Sequence, residues 1–301
     1  MAERPPTVTE RAVNALARVV LGLALYLPYR ARVSSFGWIF ARLVAPLAGW
    51  RRRVESNLAL ALPEFSRSER ASLAQKVPDN VGRALIELYS GEEFLRHIED
   101  SPIGGPGLAA LEAAHKAGTP AVLVTAHLGS YDAARGALYR RGYPIAGLYK
   151  PMTNKAFNEH YLRAMSIIGE PLFATDRRGI VGLVKHLKAG GMIGILADVG
   201  STNAPVLSFF GRSAHTPLSA AEWAIQYEAL MVPIFGIRQP DGLSFSVRVE
   251  APIPSGTPQD MMQRYNDVVE AAIRDHPEQW FWIHNRWKLG PGVPEKPAEE
   301  A

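Results

Sequence analysis

His127 and Asp132 are the residues whose types and spacing could do chemistry. An apolar and β-branched run over residues 120–126 ends at His127, and Asp132 lies five positions later. The run predicts a buried strand that delivers the histidine to the carboxyl edge of a sheet. If Asp132 lies in the first turn of the next helix, its carboxylate can reach one ring nitrogen and raise the basicity of the other. Such a pair could serve as a general base for an alcohol.

The residues between this pair could contact a substrate. Gly129 leaves room for a substrate carbonyl, and the N–H groups that begin the helix at Ser130 could hold a developing oxyanion. The same pattern also fits a satisfied loop histidine followed by an acid that favours the helix dipole. Because HxxxxD alone is a weak motif, both readings stay open at this point.

Asp198 is a third polar residue at the end of a predicted strand, 192–197. In open α/β sheets, strand ends are where ligands bind, so Asp198 is expected at the same edge as His127. There it could lie near the base or bind an acceptor sugar. The alternative is a carboxylate solvated in a loop.

Four basic residues are candidates for binding a substrate phosphate. Arg177 and Arg178 come at the start of a predicted helix, 178–189, and Lys150 could assist them. Arg212 is a further candidate. For each of them a solvated surface charge is the competing interpretation.

The composition excludes some chemistry. The chain of 301 residues has no cysteine, which excludes disulfides, thiolate metal sites and a cysteine nucleophile. It also has neither a GxSxG nor an HExxH motif, so we predict no covalent serine intermediate and no metal. Trp280, Trp282 and Trp287 are interpreted as core aromatic residues, since large aromatic side chains dominate burial.

The positive charge is concentrated near the start of the chain. Between residues 11 and 53 there are eight arginines and no Asp, Glu or Lys, and without them the net charge of +4 would be −4. These arginines flank the apolar runs 19–29 and 36–50, a pattern typical of helices at an anionic membrane surface rather than of nucleic-acid binding. We expect helices lying on the membrane, with a spanning helix or ordinary core helices as alternatives.

The pattern after residue 101 alternates between strands and helices. It predicts an α/β fold with a mostly parallel mixed sheet flanked by helices. The predicted organisation is a disordered stretch over 1–10, a helical membrane-associated region over 11–100, an α/β domain over 101–292 and a disordered tail over 293–301, all in one structural unit.

Several segments together resemble a known family. His127 to Asp132 is similar to the HX4D/E motif of glycerolipid acyltransferases, and more closely to the corresponding box of the lipid A late acyltransferases, the lauroyl/myristoyl acyltransferase family. Further similar boxes follow the order of that family: Arg51-Arg52-Arg53 with Asn57-Leu58, Tyr149-Lys150-Pro151, Ala197-Asp198, Phe209 to Arg212, and Pro277 to Lys288. Asp132 is shorter than the glutamate usual in the lipid A branch.

The resemblance implies a membrane-bound O-acyltransferase at the cytoplasmic face of the bacterial inner membrane. It would move a fatty acyl chain from acyl-carrier protein, or acyl-CoA, to a hydroxyl of a lipid A precursor or related glycolipid, with His127 as the base and no cofactor. Two alternatives remain: a lipid or thioester hydrolase that uses the same His/Asp pair, and a catalytically silent membrane-binding relative.

Overall fold

The computed structural model describes residues 7–152, 154–201, 203–289 and 295. The helices are α1 Val8–Leu25, α2 Tyr29–Ile39, a π-helical turn Phe40–Val44, α3 Ala45–Leu47, α4 Trp50–Ala61, α5 Arg67–Tyr89, α6 Glu92–Ile98, α7 Leu108–Ala117, α8 Tyr131–Arg140, α9 Lys155–Ile168, α10 Arg177–Lys188, α11 Ser219–Gln226 and α12 Pro258–Asp275. The strands are β1 Ile103–Gly104, β2 Ala121–Thr125, β3 Ile145–Tyr149, β4 Leu172–Ala174, β5 Met192–Leu196, β6 Val206–Phe209, β7 Arg212–His215, β8 Leu230–Arg238 and β9 Phe245–Val249.

Seven of these strands form one sheet in the order β1-β9-β8-β2-β5-β3-β4. Every pairing in it is parallel except that of β8 with β9, and β6 with β7 forms a separate antiparallel hairpin. Helices separate the parallel strands in the chain, as parallel crossovers require. The predicted α/β fold with a mostly parallel mixed sheet is confirmed.

The central strand β2 fixes the position of the site. All five of its residues are buried, which explains their unbroken apolar and β-branched character. Its register with β5 pairs Thr125 with Leu196. Two residues beyond that pair on each strand are His127 and Asp198, so the register brings these two side chains together at the carboxyl edge.

The N-terminal helices pack against the sheet through buried polar contacts. Arg238 on β8 forms a bidentate ion pair with Glu87 on α5, at 2.5 and 2.7 Å, and both side chains are buried. Asn57 on α4 donates hydrogen bonds to the carbonyl oxygens of Trp282 and His284. Two of the sequence boxes, around Asn57 and around Trp282, are therefore in direct contact.

The ends of the chain differ in part from the expectations. Helix α1 begins at Val8, within the stretch predicted to be disordered, while residues 1–6 lie outside the described residues. The predicted tail also lies outside them except for Glu295, whose carbonyl oxygen accepts a hydrogen bond from the Ser213 N–H. Among the described helices, none combines the length and the apolar character that crossing a membrane needs.

Candidate active site

The ring of His127 is held by Asp198. Nδ1 of His127 lies 2.9 Å from Oδ1 of Asp198, and the backbone N–H of His127 donates to Oδ2 of the same carboxylate at 2.9 Å. An Nδ1–H that donates to a carboxylate leaves Nε2 as the basic nitrogen of the neutral ring. In the described chain Nε2 has no hydrogen-bond partner, so it is free to accept a proton.

A third donor completes the environment of this carboxylate. The indole N–H of Trp280 donates to Oδ2 of Asp198 at 2.9 Å, and Trp280 is fully buried. Asp198 thus accepts three hydrogen bonds, which favour its ionised form. The interpretation of Trp280 as a core aromatic residue agrees with its burial, but it did not include this hydrogen bond to Asp198.

The two partners shift each other's pKa in opposite directions. Burial alone would lower the pKa of His127, but the charge and hydrogen bond of Asp198 outweigh it, and the pKa is raised. Burial would raise the pKa of Asp198, but the charge and hydrogen bonds of His127, with that of Trp280, lower it to about 2. Near neutral pH the carboxylate is therefore ionised and can stabilise an imidazolium beside it.

Asp132 does not contact the ring nitrogen that the sequence assigned to it. Its Oδ1 accepts from Nη2 of Arg135 at 3.3 Å, and Arg135 also donates to the carbonyl oxygens of Gly169 and Met165. Burial raises the pKa of Asp132 despite the opposing effect of Arg135. The prediction fails because the register of β2 with β5 brings the Asp198 carboxylate to Nδ1 of His127. The Asp132 side chain instead contacts Arg135, one turn further along α8.

The backbone after His127 is fixed on both sides. The N–H of Gly129 donates to the carbonyl oxygen of Gln279, and that of Ser130 donates to the carbonyl oxygen of Gly236 on β8. Gly129 has a φ of 61°, and a Cβ there would lie 2.1 Å from the Gly236 oxygen. Glycine is therefore required for close approach to β8, rather than only for space beside a substrate as the sequence indicated.

Ser130 begins α8. Its Oγ accepts from the Ala133 N–H at 3.1 Å, the usual interaction of a helix N-cap. The N–H groups of Tyr131 and Asp132 follow it and have no acceptor within the helix, as at any helix start. This end of α8 lies beside His127, so it offers donors where negative charge could develop.

An apolar cavity of about 260 Å³ adjoins the base. His127, Gly129, Ser130, Tyr131 and Asp132 all line it. Another wall comes from four residues of α5 at helical spacing: Val81, Ala84, Leu85 and Leu88. Tyr161 and Phe281 also line the cavity. The sequence did not assign α5 to the site. The i, i+3, i+4, i+7 spacing of these side chains was a signal, but it is equally typical of an ordinary core helix.

The basic candidates near the far end of the sheet lie apart from His127. Lys150 follows β3, and Arg177 and Arg178 begin α10 after β4, the edge strand. All three are exposed, and Asp176 caps the helix there by accepting from the Gly179 N–H. They share the carboxyl edge with His127, but β5 lies between β2 and the strand that Lys150 follows, and both β5 and β3 lie between β2 and the strand that the arginines follow. None of them lines the apolar cavity.

Arg212 lies in another part of the molecule. Its Nε donates to the carbonyl oxygen of Leu60 at 2.9 Å, and it lines a separate cavity of about 310 Å³ with Trp287. The structure does not bring it to the cavity beside His127. Among the described residues, no three His, Asp or Glu side chains cluster as a metal site would require.

Comparison with known proteins identifies the family. Residues 6–289 match the model of the bacterial lipid A biosynthesis acyltransferases, and the chain belongs to this family. The resemblance seen in the sequence boxes is confirmed, and the protein is an acyltransferase.

Similar proteins come from several bacteria. The chain is 27% identical over 294 residues to a lipid A biosynthesis lauroyltransferase of Escherichia coli K12, with 92% of each chain covered. It is 26% identical over 301 residues to a lipid A biosynthesis acyltransferase of Haemophilus influenzae, with 90% of each covered. A phosphatidylinositol mannoside acyltransferase of Mycobacterium tuberculosis is 25% identical over 192 residues, covering 62% of this chain and 60% of the relative.

Proposed function

We propose that this protein transfers a fatty acyl chain from a thioester to a hydroxyl of a lipid A precursor or a related glycolipid, with His127 as the general base. One observation carries the proposal: His127 is held through Nδ1 by the buried, ionised Asp198 and lines an apolar cavity. A base with a free Nε2 beside an apolar cavity suits a reaction between an alcohol and a lipid chain.

The reaction needs no covalent enzyme intermediate. Nε2 of His127 takes the proton of the acceptor hydroxyl while the oxygen attacks the thioester carbonyl. We assign stabilisation of the resulting oxyanion to the N–H groups at the start of α8, whose residues line the same cavity as His127. When the carbon–sulfur bond breaks, the thiolate receives the proton from the imidazolium, which restores the neutral base.

Asp198 supports both proton transfers. Its carboxylate fixes the Nδ1–H tautomer and stabilises the imidazolium that forms between them. We assign Asp132 a different role, in which its ion pair with Arg135 holds the start of α8 against the carbonyl groups at the end of α9.

The apolar cavity suits the acyl chain. Its α5 wall, Val81, Ala84, Leu85 and Leu88, has no charged side chain. The names of two E. coli relatives specify lauroyl and palmitoleoyl chains, and other relatives act by name on lipid A or on phosphatidylinositol mannosides. A fatty acyl donor and a glycolipid acceptor fit both the cavity and these names. We propose acyl-carrier protein as the carrier of the thioester, with acyl-CoA as the alternative.

The N-terminal helices are suited to the surface of a membrane. Helix α1 exposes Val19 and Leu23 on one face, Tyr26 is exposed just after its end, and Leu43 and Leu47 are exposed near α3. Exposed arginines such as Arg18 lie among them, whereas Arg32 is buried and bound to Glu93, so it cannot contact headgroups as the sequence indicated. We place the protein on the cytoplasmic face of the bacterial inner membrane.

Product analysis tests the proposed function against its alternatives. The purified protein is incubated with an acyl thioester, with and without a lipid A precursor, and the products are resolved by mass spectrometry. The proposal predicts an acylated acceptor that requires His127. Release of free fatty acid at the same rate without acceptor would identify a hydrolase, and no turnover under either condition would favour a catalytically silent relative.

A further inference from the structure

A second, larger cavity adjoins the first. This cavity, which we call the polar groove, has a volume of about 750 Å³. It is lined by residues from the end of α2 and the π-helical turn, from α5, from the end of β8 and the turn after it, and from the segment before Trp280. Asn80 and Gln279 line both cavities. The groove and the apolar cavity therefore share these two residues, and the carbonyl oxygen of Gln279 accepts from the N–H of Gly129 in the loop that carries His127.

The floor of the groove is rigidly built. Asn80 donates to the carbonyl oxygen of Glu278 and accepts from Nε of Arg238, each at 3.0 Å. Gln279 exchanges two hydrogen bonds with the backbone of Arg238, whose guanidinium is neutralised by Glu87. Because these polar groups satisfy each other, the floor keeps its shape without a ligand.

The rim carries two exposed cations, Arg42 and Lys76, that no carboxylate of the described chain pairs with. Neither side chain has a hydrogen-bond partner in that part of the chain. Arg83 also lines the groove and is paired with Asp79. Glu278 is the other carboxylate of the lining; it accepts from the neutral side-chain amide of Gln279 and pairs with neither Arg42 nor Lys76. Two cations therefore remain available to a ligand.

The mouth of the groove lies beside the exposed apolar residues of the N-terminal helices. Trp38 lines the groove and is 56% exposed, and Arg42 is followed directly by Leu43, which is 51% exposed. An indole and a guanidinium at one rim are suited to the boundary between lipid chains and polar headgroups. A ligand that enters here would come from a lipid surface.

We propose that the polar groove binds the phosphorylated sugar head of the acceptor glycolipid through Arg42 and Lys76. This inference rests on the proposed function and names the acceptor subsite. The reaction joins an apolar chain to a molecule with a polar head. The protein has an apolar cavity beside the base His127 and a polar groove that shares two lining residues with that cavity. Guanidinium and ammonium groups bind phosphate, and the side-chain amide of Gln75 on the same lining can bind sugar hydroxyls. Gln239 can offer its Oε1, because its amide nitrogen already donates to Ile237 and Ser246.

The test compares two double variants in the acyl-transfer assay. Arg42→Gln/Lys76→Gln removes the two available cations, and Lys116→Gln/Arg264→Gln removes the same charge from exposed positions on α7 and α12 that do not line the groove. The groove variant is expected to raise KM for the acceptor about tenfold, with kcat at saturation and KM for the donor unchanged. Inorganic pyrophosphate should inhibit the wild-type protein competitively against the acceptor and inhibit the groove variant more weakly.

Three outcomes would overturn the groove assignment while leaving the proposed function intact. These are an unchanged acceptor KM, an equal rise in the control variant, and a rise in the donor KM alone, which would place the phosphopantetheine arm of the donor in the groove. Each is measured against acyl transfer by the wild-type protein. If that protein transfers no acyl chain at all, the proposed function itself fails.

Discussion

Two buried carboxylates lie close to the same loop, one at the end of β5 and one at the start of α8, and their environments are opposite. Asp198 accepts hydrogen bonds from three donors, and its pKa falls to about 2. Asp132 has one contact at 3.3 Å with Arg135, and burial raises its pKa. The comparison teaches that a motif spacing identifies an acid near the base, whereas the strand register decides which acid supports the base.

Replacement of the base itself should have the largest effect. His127→Ala removes the proton acceptor, so kcat should fall about 10³-fold or more, with both carboxylates still in place. Steady-state acyl transfer measures the loss, and circular dichroism checks the fold. His115→Ala, on the partly exposed ring that stacks on Tyr143, is the matched control and should remain active. Turnover of His127→Ala near the wild-type rate would remove the basis for comparing the two acids.

Asp198→Asn should come next. The amide cannot stabilise an imidazolium, and we expect kcat to fall roughly 10²-fold while KM for the acceptor changes little. The matched control is Asp132→Asn, measured in the same assay. If Asp132→Asn proved as damaging as Asp198→Asn, the two carboxylates would have to share the supporting role.

Trp280→Phe tests the third donor to Asp198. Loss of a hydrogen bond to an ionised carboxylate removes about 1.5 kcal/mol, which corresponds to about tenfold in kcat if the carboxylate position matters. Trp282→Phe is the control, because Trp282 is equally buried but donates to the carbonyl oxygen of Pro277. Equal losses in the two variants would attribute the effect to packing alone.

Asp132→Asn should have the smallest effect on rate. The amide oxygen can still accept from Arg135, so we expect kcat within about fivefold of wild type, corresponding to about 1 kcal/mol. Asp132→Ala instead leaves Arg135 buried without its carboxylate, and should lower the free energy of unfolding by about 3 kcal/mol. Urea denaturation measures this difference. An Asp132→Ala protein of normal stability would contradict the structural role of the ion pair.

Local patterns were enough to predict much of the fold. The buried strand predicted over residues 120–126 and the helix start predicted at Ser130 both agree with the structure to within one residue, because apolar runs and helix signals are local. The short strands β1 and β7 were missed, since two to four residues carry little periodicity. The start of α5 is equally local: Ser66 and Glu69 form a capping box there, and the S-x-x-E pattern that marks it is visible in the sequence.

The partner of His127 could not be predicted from spacing. Residues 127 and 198 become neighbours only because β2 pairs with β5 rather than with another strand, and strand order is a property of the whole sheet. The sequence predicted Asp198 at the same edge of the sheet as His127, but it did not predict the hydrogen bond between Asp198 and Nδ1 of His127. The α5 wall of the cavity was missed for the same reason, because nothing local indicates that a helix near residue 81 lines a cavity with the loop after β2.

The most direct test of the base and its partner is the pKa of His127, measured by NMR titration. The resonance of His127 is assigned by its absence from the spectrum of His127→Ala. Because Asp198 raises this pKa, it should lie above 6.5 in the wild type and in Asp132→Asn, and fall in Asp198→Asn. Since transfer requires the neutral ring, the acid limb of kcat/KM in Asp198→Asn should move to lower pH. A pKa that falls in Asp132→Asn and is unchanged in Asp198→Asn would contradict the account.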